Sequence, residues 1–254
     1  MHKLIPAIAF IALAAGIFLF VTRDTTPPAP VFADYPAGDE RKQAFFDYFA
    51  PIIAEENAKV LAWREKVEGW QNSGGPGQWQ RSTLENLTSN YFMKDFNRDD
   101  PEDWNALLKR IDAVPVSLAL AQAAKESGWG TSRFAVSANN YFGEWCFAKG
   151  CGVVPENRNS GATHEVASFD KPAESVRSYL RNLNRHRAYA AFRELRAEER
   201  EKGNALSGLS LAGGLSEYSE RGPVYVEELR SMIRHNDLSR YDCAVTTGET
   251  ERQC

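Results

Sequence analysis

The sequence is poor in cysteine and histidine and has no excess of positive charge. Four cysteines and four histidines are spread over 254 residues, and only His235 lies near a cysteine, which argues against a metal site. Lysine and arginine number 30 against 34 aspartate and glutamate residues, for a net charge of −4. Domains that bind nucleic acid usually carry a basic surface, so this charge balance argues against that class. The same charge balance does not argue against a carbohydrate substrate.

Long hydrophobic runs are also rare, with one exception at the N-terminus. Residues 4–21 are apolar and uncharged, which is short for a membrane-spanning helix and long for a signal-peptide core. We interpret residues 1–22 as an uncleaved signal anchor with Lys3 on the cytoplasmic side. The alternative is a cleaved signal peptide, with a mature chain that begins near Asp34. Both interpretations predict export, and the first predicts a periplasmic or extracytoplasmic protein held on the inner membrane.

A proline-rich stretch follows this segment. Residues 23–38 should be extended and poorly packed, and we interpret them as a linker that holds the rest of the chain off the membrane. The whole sequence is 43% hydrophobic and 25% charged, as in globular proteins. Its length therefore allows one domain of ordinary size with additional segments.

Residues 39–112 show a helical pattern of apolar residues without a recognisable chemical motif. The first helix is expected to restart at Pro51. A second is expected to begin at Ser82, with Glu85 three residues later completing a capping box. Residues 101–112 form a third amphipathic pattern. We expect this region to pack around the segment that follows.

The segment that organises the rest of the chain begins after Pro115. Its residues are almost all apolar as far as Gly128, which predicts a buried helix with a glycine stop. The last turn of this helix carries Glu126. Burial should raise the pKa of such a carboxyl, and a glycosidase needs a protonated acid at the leaving oxygen. The alternative is a solvated carboxylate or one paired with Arg133.

Two short runs carry a resemblance to a known family. The run Glu-Ser-Gly-Trp-Gly-Thr-Ser at 126–132, followed by Asn-Asn-Tyr-Phe-Gly at 139–143, resembles the signature of the bacterial glucosaminidase domain, glycoside hydrolase family 73. The resemblance implies that Glu126 is the general acid of a mostly helical α+β, lysozyme-like domain with a small β-hairpin lobe, over residues 113–241. Candidate substrate-binding residues in these runs are Trp129, Asn140, Tyr141 and Phe142.

A second carboxylate is expected in the β-hairpin. The resemblance places it near Glu156, and Glu165 is the rival, although a strand would turn its side chain away. A wide separation from Glu126 would predict inversion and a narrow one a covalent intermediate. An N-acetylated sugar could instead use its own acetamido carbonyl.

Further candidates lie near the end of the domain. Tyr218 and Tyr225 fit two tyrosines of the family, and Tyr218 is the candidate for an active-site tyrosine that bonds the acetamido group or orients water. Tyr225 is a candidate substrate-binding residue. The charge-rich residues 192–202 are expected to form a solvated helix.

The cysteines fall into two pairs. In an exported chain an even number favours disulfides, so we predict Cys146–Cys151 and Cys243–Cys254, the second within a polar tail at 242–254. The alternative is four buried thiols in a cytosolic protein.

One branch of the superfamily fits more of the chain. The runs at 145–147, 150–155 and 164–166 resemble the bacterial Bax family, unrelated to the apoptosis regulator. This resemblance implies a peptidoglycan hydrolase that cleaves β-1,4 bonds of glycan strands as an endo-β-N-acetylglucosaminidase. That chemistry requires no metal or organic cofactor, and we expect a monomer. Alternatives are a lytic transglycosylase, which would continue with a Gly-Leu-Met-Gln-like stretch, and an inactive peptidoglycan-binding module.

Overall fold

The computed structural model describes residues 26–245 except 157, 159 and 160. The predicted signal anchor at 1–22 and the predicted pairing of Cys243 with Cys254 lie outside the described residues. No helix within them is long and apolar enough to cross a membrane.

The described chain is mostly helical. Its α-helices are α1 (Asp39–Asn72), α2 (Arg81–Asn90), α3 (Pro101–Arg110), α4 (Val116–Ser127), α5 (Arg133–Ala138), α6 (Pro172–Arg185), α7 (Ala190–Glu201), α8 (Gly208–Leu211) and α9 (Pro223–His235). Short 3-10 helices span Phe32–Asp34, Gln78–Gln80, Arg187–Tyr189, Ala212–Tyr218 and Leu238–Val245.

A small antiparallel sheet lies between α5 and α6. It consists of β1 (Trp145–Cys146), β2 (Gly152–Val153) and β3 (Glu165–Ala167), in the order β1-β3-β2. Trp145 pairs with Val166, and Gly152 pairs with Ala167. We call these strands and the loops between them the β-lobe. The predicted mostly helical α+β class with a small β-lobe is confirmed, with three strands rather than a simple hairpin.

Helix α4 is the centre of the core. Every residue from Val116 to Ala124 is buried, and the helix packs against α1, α8, α9 and the last 3-10 helix. Gly128 ends it with a left-handed φ of 56°, and the Trp129 amide donates to the Ala124 carbonyl at 2.8 Å. This Schellman-like turn fixes the direction in which the chain leaves the last turn, where Glu126 lies.

Helix α1 joins two hydrophobic clusters. It is continuous through Pro51, so the expected restart is wrong. A proline inside a helix costs stability, and here the packing of both halves offsets that cost. Phe45 and Phe49 pack in the main core with α4, whereas Val67 and Trp70 pack in a smaller cluster with α2 and α3.

Part of the proline-rich stretch also packs, which differs from the expected loose linker. Phe32 is 2% exposed and its ring contacts Phe45 and Phe49. A Cβ on Gly130 would lie 2.2 Å from the Phe32 ring, so this glycine makes room for it. The Tyr48 hydroxyl donates to the Pro27 carbonyl at 2.7 Å. Residues from 27 onward are therefore attached to the core.

The predicted cap of the second helix is also wrong. Helix α2 begins at Arg81 after Gln80, so Ser82 lies in its first turn and forms no capping box with Glu85. The preceding 3-10 turn at 78–80 leads directly into the helix, which removes the extended conformation that a capping serine needs.

The charge-rich helix α7 is more buried than expected. Arg193 and Arg196 are 6% and 1% exposed, so the expectation of a solvated helix fails on this face. It holds on the opposite face, where Glu194, Glu198 and Glu201 are exposed. Arg196 donates to the Asp112 and Ala113 carbonyls at 3.0 Å and to Asn184 Oδ1 at 2.7 Å. It satisfies the carbonyls of the turn before α4, which have no helical partner.

Candidate active site

Glu126 lies at one end of a chain of hydrogen bonds that runs through the core. The Tyr225 hydroxyl on α9 donates to Glu126 Oε1 at 2.8 Å. That hydroxyl accepts from Gln122 Nε2 at 3.0 Å, and Gln122 Oε1 accepts from the Tyr179 hydroxyl at 2.5 Å. Because Gln122 precedes Glu126 by one helical turn, both side chains lie on the same face of α4.

The surroundings of Glu126 raise its pKa. Partial burial is the main cause, and the Tyr225 hydrogen bond and the positive charge of Lys125 oppose it. Lys125 itself pairs with Glu228 at 2.8 Å, which reduces the charge available to Glu126. Arg133, the alternative partner considered from the sequence, pairs with Glu156 instead. A half-buried carboxyl with a raised pKa can serve as a proton donor near neutral pH.

Tyr218 lies beside this pair but bonds elsewhere. Its ring stacks on that of Tyr225 with centroids 5.6 Å apart and planes 4° apart. Its hydroxyl donates to the Phe142 carbonyl at 3.0 Å. Of the two candidate tyrosines, Tyr225 is therefore the one whose hydroxyl contacts the Glu126 carboxyl.

The aromatic residues expected in the cleft wall lie in the core. Tyr141 and Phe142 are 3% and 2% exposed. Phe142 stacks on Tyr179 with centroids 4.0 Å apart, and Tyr141 meets Phe49 edge to face at 4.5 Å. Neither ring has a face open to a sugar in this conformation. Their positions instead fix the segment that carries the Phe142 carbonyl.

Asn140 and Trp129 also form structural contacts. Asn140 is buried, and its amide nitrogen donates to the Glu144 and Ala167 carbonyls, both at 2.9 Å. It thereby ties the turn after α5 to β3. Trp129 is half-buried and packs edge to face against Phe46 of α1.

Glu165 holds the loop between β1 and β2. Its two carboxylate oxygens accept from the Gly150 amide at 3.0 Å and the Gly152 amide at 2.9 Å. These backbone hydrogen bonds lower the pKa of Glu165. The predicted Cys146–Cys151 disulfide closes the same loop and is confirmed. Both sulfurs near the Glu165 carboxylate are therefore bonded to each other, which removes them as metal ligands.

Glu156 lies in the connection between β2 and β3. It is exposed and forms an ion pair with Arg133 on α5. Among the contacts that the described residues make, none joins Glu156 or Glu165 to Glu126. The structure thus brings Glu126, Tyr218 and Tyr225 together and leaves both candidate second carboxylates in the β-lobe.

A further buried carboxyl, Glu144, was missed in the sequence. Its Oε1 accepts from the Ser178 hydroxyl at 3.2 Å, and its Oε2 is buried without a hydrogen-bond partner in the described structure. Burial raises the pKa of Glu144 to about 7. Burial is the main cause that raises the pKa of Tyr179 and of Tyr189, and the charges of Glu144 and Glu126 both add to it. Both carboxyls therefore act on the same group of tyrosines.

The sequence carried a signal for one of the missed residues. Gln122 is a polar residue one turn before Glu126, between the apolar residues 118–121 and 123–124 of the helix, and such a side chain needs a buried partner. Glu144 offered no comparable signal, because a glutamate after a glycine in a turn is usually solvated.

Two comparisons with known proteins give a match for this chain. Residues 101–238 match the glucosaminidase family, described as mannosyl-glycoprotein endo-beta-N-acetylglucosaminidase. The chain is similar to Protein bax of Escherichia coli (strain K12), with 34% identity over 207 residues that cover 82% of this chain and 74% of that protein. No solved structure matches it significantly. The matched family range extends from α3 through α9 and includes Glu126 and both tyrosines.

Proposed function

Because the chain belongs to the bacterial Bax family of glucosaminidase-domain proteins, we propose that it hydrolyses β-1,4 bonds of peptidoglycan glycan strands as an endo-β-N-acetylglucosaminidase. The family supports a glycosidase activity related to peptidoglycan. The bond that is cut and the residues that cut it are our proposal.

The observation that carries the proposal is the pairing of Glu126 with Tyr225. The carboxyl is half-buried, its pKa is raised, and the Tyr225 hydroxyl holds one oxygen at 2.8 Å. We propose that the other oxygen carries the proton that is donated. General acids of glycosidases have this combination of a raised pKa and a fixed orientation.

In the proposed reaction Glu126 gives its proton to the glycosidic oxygen as the bond from that oxygen to C1 breaks. Water supplies the new oxygen on C1 and gives its proton to Glu156 on the first route below or to the ionised Glu126 on the second, so that the products are two glycan ends. Two routes are open for the attack: a water activated by Glu156, or the acetamido carbonyl of the substrate followed by water. Tyr218 lies beside Tyr225, where it could orient the acetamido group.

The proposed setting is the outer side of the inner membrane. Residues 1–22 would anchor the chain there as a monomer, and the confirmed disulfide supports an oxidising compartment. We propose no metal or organic cofactor for the reaction, since acid catalysis by a carboxyl and attack by water need none.

The test is product analysis after digestion of purified peptidoglycan. The full chain, purified in mild detergent with its cysteines oxidised, is incubated with sacculi, and the soluble products are reduced with borohydride and analysed by mass spectrometry. Glu126→Gln is run in parallel, with Glu227→Gln as the control because Glu227 is an exposed glutamate on α9 near Tyr225.

We expect reduced N-acetylglucosamine ends with the starting protein and with Glu227→Gln. Loss of a general acid typically costs 10²–10⁴-fold in rate, so Glu126→Gln should be slower by about that factor. Anhydro-muramyl ends would instead identify a lytic transglycosylase. Bound but uncut sacculi would identify an inactive wall-binding module.

A further inference from the structure

The β-lobe exposes two large aromatic side chains close together in sequence. Trp145 is 60% exposed and Phe147 is 73% exposed. Among the aromatic side chains that the structure describes, only Trp79 is more exposed. Contiguous exposed apolar surface marks interaction sites, and these two side chains lie only two residues apart.

The loop that carries these side chains is held rigidly. The Cys146–Cys151 disulfide closes it, and the Glu165 carboxylate accepts from the amides of Gly150 and Gly152. Gly152 itself has no room for a side chain, since a Cβ there would lie 1.9 Å from the Val166 carbonyl oxygen. A rigid loop that nevertheless leaves Phe147 in solvent is preorganised for contact with a partner.

One face of the Trp145 indole is supported by the protein. The His164 imidazole stacks on it with ring centroids 4.2 Å apart and planes 15° apart. The exposed fraction of Trp145 leaves the opposite face open to solvent. A flat, supported ring with one free face complements the apolar C–H face of a pyranose, because both surfaces are planar and weakly hydrated.

The position of Trp145 connects this surface to the candidate active site. The Phe142 carbonyl accepts from Tyr218, whose ring stacks on Tyr225, the partner of Glu126. Trp145 follows Phe142 by three residues, and three residues span at most about 11 Å. One glycan strand could therefore contact Trp145 while another part of it lies at Glu126.

The charge of the loop fits the same occupant. Lys149 is exposed between the two cysteines, in a chain whose net charge is −4. Muramic acid units carry a lactyl carboxyl, or a peptide joined through it, so a positive side chain near the ring platform complements a muropeptide strand.

From these observations we propose that Trp145 and Phe147 form a platform that binds a pyranose ring of the glycan strand, several sugars away from the bond that is cut. The inference rests on the proposed function for the identity of the strand. It adds a binding site on the β-lobe that is separate from the residues around Glu126.

The test measures binding without turnover. The full chain with Glu126→Gln is titrated with glycan strands from which an amidase has removed the stem peptides. Adding Trp145→Ala should raise the dissociation constant about tenfold, the effect of losing one well-placed aromatic anchor. Trp145→Tyr should restore most of the binding. Trp79→Ala is the matched control, since Trp79 is 94% exposed and lies outside the β-lobe, in the 3-10 helix Gln78–Gln80.

Three results would overturn the inference. The first is equal binding by the Trp145→Ala and Trp79→Ala proteins. The second is binding that disappears when the stem peptides are removed, which would assign the platform to peptide. The third is failure of the Glu126→Gln protein to bind naked strands. Circular dichroism and the mass of the disulfide-bonded chain check that Trp145→Ala leaves the fold intact.

Kinetics with Glu126 in place separate this inference from the proposed function. Trp145→Ala should raise KM for long strands and leave kcat unchanged, because a distant contact contributes equally to ground state and transition state. If the starting protein binds strands through Trp145 but never cuts them, the hydrolase proposal fails and the platform stands. If cleavage depends on Glu126 while Trp145→Ala leaves KM and the dissociation constant unchanged, the platform inference fails and the hydrolase proposal stands.

Discussion

The hydroxyl of Tyr225 donates a 2.8 Å hydrogen bond to Glu126 Oε1 and accepts one of 3.0 Å from Gln122. The bond joins α9 to the last turn of α4, 99 residues earlier in the chain. It also opposes the effect of burial on the Glu126 pKa. Docking of α9 on α4 therefore determines both the orientation and the acidity of the proposed general acid.

Replacing Tyr225 by Phe should raise the Glu126 pKa further. The lost hydrogen bond lowers the pKa in the native protein, and a general acid works only while protonated. The alkaline limb of the pH profile of kcat/KM should therefore move to higher pH. The substitution also leaves Gln122 Nε2 without its acceptor, which should cost about 1–3 kcal/mol in the free energy of unfolding.

Tyr218→Phe is the control for this shift. It removes the hydrogen bond to the Phe142 carbonyl and leaves the Tyr225 hydroxyl on Glu126. The alkaline limb of the kcat/KM profile of Tyr218→Phe should lie at the same pH as that of the starting protein, even if the variant is slower. An unmoved or lowered limb in Tyr225→Phe would show that the hydrogen bond does not control the acid.

The location of Glu126 could be predicted from the sequence because its signals are local. An apolar run, a glycine stop and a carboxyl in the last turn specify a buried helix with an acid at its end. Its partner could not be predicted in the same way. Which tyrosine, Tyr218 or Tyr225, donates to Glu126 depends on how α9 and the preceding 3-10 helix pack. No short-range sequence pattern predicts that packing.

The fold shows the same division between local and tertiary information. Helix positions followed from apolar periodicity, but the continuity of α1 through Pro51 depends on clusters at both of its ends. Arg196 resembles a solvated residue in the sequence. Its burial accompanies the hydrogen bonds that it donates to the carbonyls of Asp112 and Ala113. This pairing can be recognised only when α7 and that turn are brought together.

Glu144→Gln should change how stability depends on pH. The native pKa of Glu144 is about 7, above the ordinary value of 4.5, so the folded state binds this proton more tightly than the unfolded state. Ionisation of Glu144 therefore lowers stability as pH rises from about 4.5 to about 7. The starting protein should lose on the order of 3 kcal/mol relative to Glu144→Gln across this range.

Urea unfolding at pH 4.5, 6 and 8 measures the difference. Glu144 is bonded by Ser178, and the nearby charges of Arg181 and Arg185 act on it from α6. Glu220→Gln, at an exposed position, should follow the starting protein at every pH. A constant difference between Glu144→Gln and the starting protein would contradict the raised pKa.

Glu165→Gln should loosen the β-lobe. A glutamine offers one acceptor oxygen, so either the Gly150 or the Gly152 amide loses its partner. Local opening should become easier, and reduction of Cys146–Cys151 by dithiothreitol should be about fivefold faster, as for one lost hydrogen bond.

Glu156→Gln is the matched variant, since it changes the other candidate carboxylate in the same lobe. Its disulfide should be reduced at the native rate, because Glu156 is exposed and bonds to Arg133 rather than to the loop. If water attacks with help from Glu156, this variant should lose cleavage while Glu165→Gln keeps most of it. If Glu156→Gln and Glu165→Gln both cleave at the native rate, attack by the acetamido group is favoured. If the disulfide of Glu165→Gln is reduced at the native rate, Glu165 does not hold the loop.

Gly214→Ala should disrupt the packing that places Tyr218. A Cβ at residue 214 would lie 2.3 Å from the Phe192 Cα and 2.5 Å from its amide nitrogen. Backbone atoms in a packed helix cannot move aside cheaply, so the free energy of unfolding should fall by about 3 kcal/mol or more. Gly213→Ala, one residue earlier, meets the flexible Arg230 guanidinium at 3.3 Å and the Leu195 Cδ1 at an ordinary 3.8 Å, and its stability should change by less than about 1 kcal/mol. Equal urea midpoints for the two variants would mean that the 3-10 helix before α9 is not held against α7, and the position of Tyr218 beside Tyr225 would then lack its support.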